Sequence, residues 1–529
     1  MSFLLSLSNF RSLLVTGGGI LVMFLVRAVL AKRRRNPRRL PPPPGPKGLP
    51  IIGNALQIPD PNKHPWKVYA SLCEEYGGMV YMTAMGQGIL VISSLSRAVE
   101  LLEKRAVRYS SRPSIPALNL IELDNWAFGT MPYGHTWKEY RRAFHQQLNH
   151  SVVARYYPIM VEERDVFLRE LKETPADFPE HIRMFFGKVI MRTSYGIDDM
   201  SQNESFIHAA ESLVDSFGDS IAPGKYLVNS FPILKHIPGW APGAGFQKAF
   251  KKAAELGRKA VALPYAEAKT GLMQGKRSIH PSLAASFIEA LPDEDAPTRQ
   301  EEETKAMHVC ASAYVAGADT TVASATALVL ALASHPKVQK KAQAELDGVV
   351  GSGRLPMVTD RPSLPYIHAI VKELGRWYTV APLGITHRTT ADDEYDGHFI
   401  PEGTFVMANS WAIMHDPEMF ENPFEFVPER YLNNGEIDES VPDPEIAAFG
   451  FGRRICPGRH FSNDGLFLLA ASLLATFDVA PSKDEAGNTV PLSLEVFSQL
   501  VAKPLPFQCN ISPRAGIGKV PEEIDIGLG

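Results

Sequence analysis

From Ala306 to Ser334 the chain carries one acidic or basic side chain, Asp319, apart from His308. Just before this run, Thr298-Arg299-Gln300-Glu301 has the spacing of a capping box. Just after it, His335-Pro336 disfavours further helix. Together these signals predict one helix of roughly 36 residues, about 54 Å long at 1.5 Å per residue. A helix that is apolar on every face must be hidden, in a bilayer or as the axis of a large core. The segment is rich in Ala, Ser and Thr, and an Asp in mid-bilayer is costly, so the core axis is the reading it favours. A chain of 529 residues can build such a core, and 45% hydrophobic with 21% charged residues is ordinary globular composition.

At the middle of that helix stands Ala316-Gly317-Ala318-Asp319-Thr320-Thr321. Glycine in mid-helix costs about 1 kcal/mol against alanine, so something requires it. Room for a ligand beside the helix is one answer, and an acid followed by a hydroxyl can pass protons into that space through water. The plainer reading, a helix irregularity with a solvated Asp, fits this apolar setting poorly. A second constellation lies near the C-terminus, in Phe449-Gly450-Phe451-Gly452-Arg453-Arg454-Ile455-Cys456-Pro457-Gly458. Deprotonated cysteine is a soft, anionic metal ligand. The glycines permit tight turns and close approach to a flat partner, and the arginines are fork-shaped donors for carboxylates. An apolar helical pattern follows Pro457, so Cys456 is expected just before a helix N-terminus, where amide donors favour a thiolate. Only three other cysteines exist (Cys73, Cys310 and Cys509), far apart and with no C-x-x-C pair, which argues against zinc or a disulfide scaffold.

The cysteine stretch resembles the ligand loop of the cytochrome P450 family, F-x-x-G-x-R-x-C-x-G. Phe449, Gly452, Arg454, Cys456 and Gly458 fill its fixed positions. The mid-helix stretch is similar to that family's oxygen-activating motif, [AG]-G-x-[DE]-T-T. Trp137 and Arg141, at helical i and i+4, match its W-x-x-x-R pattern. Glu373-Leu374-Gly375-Arg376 and, some fifty residues on, Pro428-Glu429-Arg430-Tyr431 match its E-x-x-R and P-E-R-F patterns, with Tyr431 where the family often has Phe. Each signal is modest alone; their order and spacing over residues 40–510 make coincidence negligible.

The resemblance implies a mainly α fold with small β-sheets and a b-type haem (heme b) held axially by Cys456. It also implies roles for individual residues. Arg454, Arg141, Trp137 and His387 would bond or neutralise the haem propionates, with Arg388 as a possible substitute for His387. Phe449, Gly458, Ala316 and Gly317 would border the haem. Asp319 would bring in protons and Thr320 would be the hydrogen-bonding hydroxyl. Glu373, Arg376 and Arg430 would lock the loop leading to the haem, while Phe128 and Leu383 would face substrate. The implied reaction inserts one oxygen of O2 into a small lipophilic substrate. The electrons would come from NADPH through a separate NADPH-cytochrome P450 reductase, because the chain has no flavin or nucleotide motif of its own. Two alternatives are a reductase-independent P450 isomerase or dehydratase, which the acid–alcohol pair disfavours, and a membrane haem protein without turnover.

The N-terminus adds a location. Ser12 to Val26 carries no charge, apolar character runs on to Ala31, and Lys32-Arg33-Arg34-Arg35-Asn36-Pro37-Arg38-Arg39 follows. Charge after the apolar run, rather than before it, predicts an uncleaved anchor with the body in the cytosol. A cleaved signal peptide would instead expose three N-x-S sites (Asn149, Asn203, Asn510) to glycosylation. The expected divisions are residues 1–39 as anchor and basic stop, 40–54 as a stiff proline-rich hinge and 55–529 as the catalytic domain. The expected site is the cytosolic face of the endoplasmic reticulum membrane. The formal charge of −4 contains eight basic and no acidic side chains within residues 1–39, leaving −12 for the body, which is not the balance of a nucleic-acid binder. The proline hinge, the long helix and the Pro506-Phe507-Gln508-Cys509 ending resemble those of fungal microsomal P450s of secondary metabolism. The substrate classes open are therefore terpenoids, the favoured one, and polyketides, indoles and aromatic xenobiotics.

Overall fold

The computed structural model describes residues 33–198, 200–276 and 278–515, with the backbone alone at 200–205. The membrane span expected within 12–31 lies outside the described residues. Helix α1 (Pro65–Tyr76) starts with proline in its first turn and ends at Gly77 in the left-handed region. A hairpin follows, β1 (Met79–Ala84) and β2 (Gln87–Ile92), with Ala84 facing Gln87. Its turn is Met85-Gly86, both at positive φ. β6 (Phe405–Ala408) joins β2 in parallel and β3 (His387–Arg388) closes the sheet antiparallel to β6. Between them β4 (Asp393–Tyr395) and β5 (His398–Ile400) form a separate hairpin.

The helical body comprises α2 (His135–Leu148), α3 (Tyr157–Glu173), α4 (Phe178–Tyr195), α5 (Met200–Ile221), α6 (Gly245–Met273), α7 (Arg299–Ser334), α8 (Pro336–Val349), α9 (Pro365–Trp377) and α10 (Arg459–Thr476). α7 is the axis. It is long and apolar enough to cross a membrane, yet most of its apolar stretch is buried against α4, α5, α6 and α10. Its small residues set how closely neighbours approach. A Cβ on Gly317 would stand 3.0 Å from Ile190 Cγ1 of α4. Helix packing therefore accounts for this glycine, in addition to ligand space. The expected capping box is not formed. Thr298 has helical φ and ψ, and its side chain makes no cap hydrogen bond. The chain enters the helix already turned, with the Arg299 N–H donating to the Ala296 carbonyl, and a Thr cap needs extended backbone.

Residues 40–54 are laid onto the body and do not form a free-standing spacer. The Pro41 and Pro44 carbonyls accept from the Phe399 and Tyr81 N–H groups, each at 2.8 Å. Ahead of them Arg35 pairs with Asp392, and Arg38 with Glu394 at 2.8 Å. Residues 105–131, aperiodic in sequence, fold as short helical turns at Ala106–Tyr109, Pro116–Leu120 and Leu123–Trp126.

Glu373 and Arg376 on α9 are both fully buried. The guanidinium donates to both carboxylate oxygens, at 2.7 and 2.8 Å. Arg430 reaches the same carboxylate at 3.0 Å, and the Val427 N–H donates to it at 2.8 Å. The remaining Arg376 donors go to the Met414, Pro423 and Glu425 carbonyls. This group fastens the chain that precedes the cysteine loop to α9. Beside it, the Tyr431 hydroxyl is buried with no hydrogen-bond partner among the described residues. An unpaired buried hydroxyl costs about 1 kcal/mol or more. Tyr431→Phe is therefore expected to raise unfolding stability by about 1 kcal/mol, read from the denaturant midpoint; a loss of stability would show that the hydroxyl has a partner.

Candidate active site

The cysteine loop is built by backbone geometry. Gly450 and Gly452 take positive φ, and a Cβ at Gly452 would overlap the Leu102 carbonyl. That close approach is to a neighbouring chain segment, whereas the sequence pointed to a flat partner. The Cys456 N–H donates to the Phe449 carbonyl at 2.8 Å, closing the loop, and α10 starts three residues later. Burial pushes the Cys456 thiol up, opposed by the Gly458 N–H and by the positive charges of Arg141 and Arg459. A bound metal cation would take the thiolate outright.

One cavity of about 630 Å³ receives Cys456. Phe449, Arg454 and Gly458 line it from the loop, Trp137 and Arg141 from α2, Ala316, Gly317 and Thr320 from α7, and His387 from β3. Phe128 and Leu383 line it too, whereas Arg388 does not. Of the residues expected to act on oxygen, Thr320 lines the cavity and Asp319 does not. It is buried on the far side of the α7 wall, with Lys503 Nζ 3.0 Å from its Oδ2. Burial raises the Asp319 carboxyl and the Lys503 charge opposes that rise. Thr320 Oγ1 donates to the Ala316 carbonyl at 3.0 Å, one turn back.

Among the described residues, Arg112, Arg141, Arg454 and His387 line the cavity without a carboxylate partner. Arg454 donates to the Ser110, Phe128 and Met131 carbonyls and stacks over the Trp137 ring at 4.2 Å; burial and the neighbouring Arg112 and Arg141 charges lower it to about 8. Arg112, which sequence reasoning missed, donates to the Gly129, Ile385 and Thr386 carbonyls, and burial lowers it to about 9. Nothing marks it in sequence, where it is one arginine before a proline. Arg141 makes no hydrogen bond or ion pair among the described residues, and burial lowers it to about 10. His387 Nδ1 lies 2.8 Å from the Tyr109 carbonyl, and burial holds the ring well below its usual range, so Nδ1–H donates and the imidazole is neutral.

Burying the three guanidinium cations without counter-charge is expensive. Their convergence on a cavity that also presents a cysteine fits a flat cofactor with two carboxylates and a thiolate-binding metal. Haem meets that description. Cys456 would hold its iron, and Arg112, Arg141 and Arg454 with Trp137 and His387 would hold its propionates. When bound, haem supplies O2 binding and O–O cleavage, favoured by electron donation from the thiolate. The protein's own groups exclude water, orient substrate and manage protons.

The chain belongs to the cytochrome P450 family, which it matches over residues 43–511. It is a monooxygenase of the fungal type. It is 52% identical over 512 residues, 96% of this chain and 98% of the relative, to cytochrome P450 monooxygenase COX1 of Coprinopsis cinerea. It is 42% identical to COX2 of the same fungus, covering 89% of each chain. It is 36% identical to the tryptamine 4-monooxygenase of Psilocybe cyanescens, covering 89% of this chain and 92% of that one. The family uses haem with cysteine thiolate ligation, together with O2, a lipophilic substrate and a redox partner.

Proposed function

We propose that the chain hydroxylates or epoxidises a neutral, lipophilic natural product, a terpenoid by preference. In this reading Asp319 and Thr320 supply protons, and electrons come from NADPH through a separate reductase at the endoplasmic reticulum membrane. The observation that carries the substrate class is the charge pattern of the cavity. Its lining carboxylates among the described residues are Asp443 and Glu445. Both lie on the segment leading into the cysteine loop, and both already pair with cations, Lys372 and Arg459. Apart from the basic groups and several hydroxyls, the walls are aromatic and aliphatic, with Trp126, Phe128, Phe185, Phe186, Leu213 and Phe217. A protonated amine would meet no free counter-charge there and would lose its hydration, whereas a hydrocarbon skeleton gains about 25 cal/mol per Å² buried.

Two surfaces support the partner and the location. Lys138 and Arg453 flank the Tyr133 ring beside the cysteine loop, and Arg142 is exposed nearby, a cationic face for an acidic electron donor. Between α5 and α6, Leu227, Ile233 and Trp240 are exposed, Trp240 at 85%, next to Lys225 and Lys235. Exposed apolar groups rimmed by lysine suit a lipid surface. Co-expression with a fungal reductase and a matched panel of neutral terpenoids and protonated indole amines tests the reading. NADPH- and O2-dependent oxygenation of a neutral substrate is expected; turnover of the amines alone would overturn it.

A further inference from the structure

Lys503 comes from a segment near the C-terminus to which no motif assigns a role. Its Nζ lies 3.0 Å from Asp319 Oδ2 and 3.4 Å from Asp215 Oδ1, so it bridges a buried carboxylate to one whose side chain is 56% exposed. The three charges lie off the cavity on three segments whose neighbouring residues wall it. Asp319 follows Ala316 and Gly317 on α7, Asp215 follows Leu213 and Val214 on α5, and Lys503 follows Leu500 and Val501. The walls touch one another, since a Cβ on Gly218 of α5 would stand 3.5 Å from Leu500 Cβ. The segment is pinned behind: the Tyr378 hydroxyl donates to the Ala502 carbonyl, and the Ala502 N–H donates to the Val380 carbonyl at 2.9 Å.

We propose that Lys503, steadied by Asp215, is a positioning residue that sets the orientation and proton affinity of Asp319 and ties both to the walls that substrate touches. The proposal rests on the reading of Asp319 as the proton-supplying acid. Burial raises the proton affinity of that carboxyl, and the ammonium group beside it works in the opposite direction. Burial on its own would lower Lys503, yet the two carboxylates hold it above its ordinary value, so it keeps its charge throughout. The other titratable groups facing this cluster are Glu211 on α5, which Arg183 on α4 holds at 3.3 Å, and Tyr378 after α9. None of them is a second cation for Asp319. A substrate that presses on Leu500, Val501, Leu213 or Val214 acts on residues one to three positions from the charges that hold the acid. Proton supply and substrate occupancy thereby share one mechanical unit. Protons reach Asp319 from water at the part-exposed Lys503 end, and the ammonium itself is not consumed.

The test uses the full-length holoenzyme with reductase and an oxidisable neutral substrate, normalised to the reduced-CO absorbance of each variant. Lys503→Met is expected to lower product formed per NADPH consumed several-fold. It is also expected to move the alkaline limb of the pH–rate profile to higher pH, because Asp319 loses its cation, its proton affinity rises and the acid stays protonated further up. Lys503→Arg keeps the charge and is expected to restore both readings. Asp319→Asn is the control. If it alters coupling and the pH profile while Lys503→Met leaves both unchanged, Lys503 has no such role and the acid reading stands. If Asp319→Asn changes neither, the acid reading fails and the proposal falls with it. Loss of coupling in Lys503→Met with an unshifted pH profile, not restored by arginine, would mean packing damage and would equally overturn the proposal.

Discussion

Replacing Cys456 with serine is expected to reduce monooxygenase turnover to background and to remove the thiolate-type reduced-CO spectrum. Far-UV dichroism and solubility should stay near those of the parent. The loop that carries the residue is closed by backbone contacts, the Cys456 N–H to the Phe449 carbonyl and the Gly452 turn against Leu102, and none of them uses the sulfur atom. Serine therefore keeps the loop while replacing a soft, polarisable donor with a hard and far less donating one. The buried arginines remain, so the variant should retain some haem. Thiolate spectrum and turnover both surviving in Cys456→Ser would show that another group ligates the iron. The other described cysteines are poor substitutes: Cys310 is buried in α7 and, like Cys73 and Cys509, does not line the cavity.

The second large effect lies away from the cofactor. Glu373→Ala would strand the Arg376 guanidinium with no counter-charge in a fully buried position, and would free Arg430 and the Val427 N–H at the same time. Removing one partner of a buried pair costs about 3–5 kcal/mol. That is a large share of the roughly 5–15 kcal/mol that separates a folded domain from its unfolded chain. The expected result is a lower denaturant midpoint and little soluble holoprotein. Glu373→Gln should be intermediate, since it keeps an acceptor for the Val427 N–H without the charge. A midpoint unchanged in Glu373→Ala, measured by dichroism, would show that the three side chains are merely neighbours.

Much of the site was legible in the sequence for a physical reason. The chemistry is local: a cysteine loop, a cavity-lining Trp/Arg pair on one helix and a mid-helix acid with its hydroxyl each occupy a few consecutive residues. α7 was equally legible, because a long apolar stretch bounded by His335-Pro336 has few places to go. What stayed hidden depends on long-range contact. Arg112 reaches the cavity only because the segments carrying Gly129, Ile385 and Thr386 fold around it, and no periodicity marks it. Lys503 meets Asp319 across 184 positions of chain. The cavity walls from α4, α5 and residues 500–501 are common apolar residues, and which of them face inward is decided by packing. The same limit explains the capping box: Thr298 has the right neighbours in sequence and the wrong backbone. It explains the hinge as well, since its composition predicts stiffness, whereas its carbonyls find Phe399 and Tyr81 only once the sheet has formed.

The most direct measurement of the central claim is oxygen provenance. Purified full-length protein, reductase and NADPH are supplied with a neutral terpenoid that it turns over, under isotopically heavy oxygen gas in ordinary water. A haem-thiolate monooxygenase site held by Cys456 predicts that the product gains one heavy oxygen atom per molecule oxidised, and that Cys456→Ser yields none. A product whose new oxygen comes from water, or whose formation continues without O2 and NADPH, would contradict it.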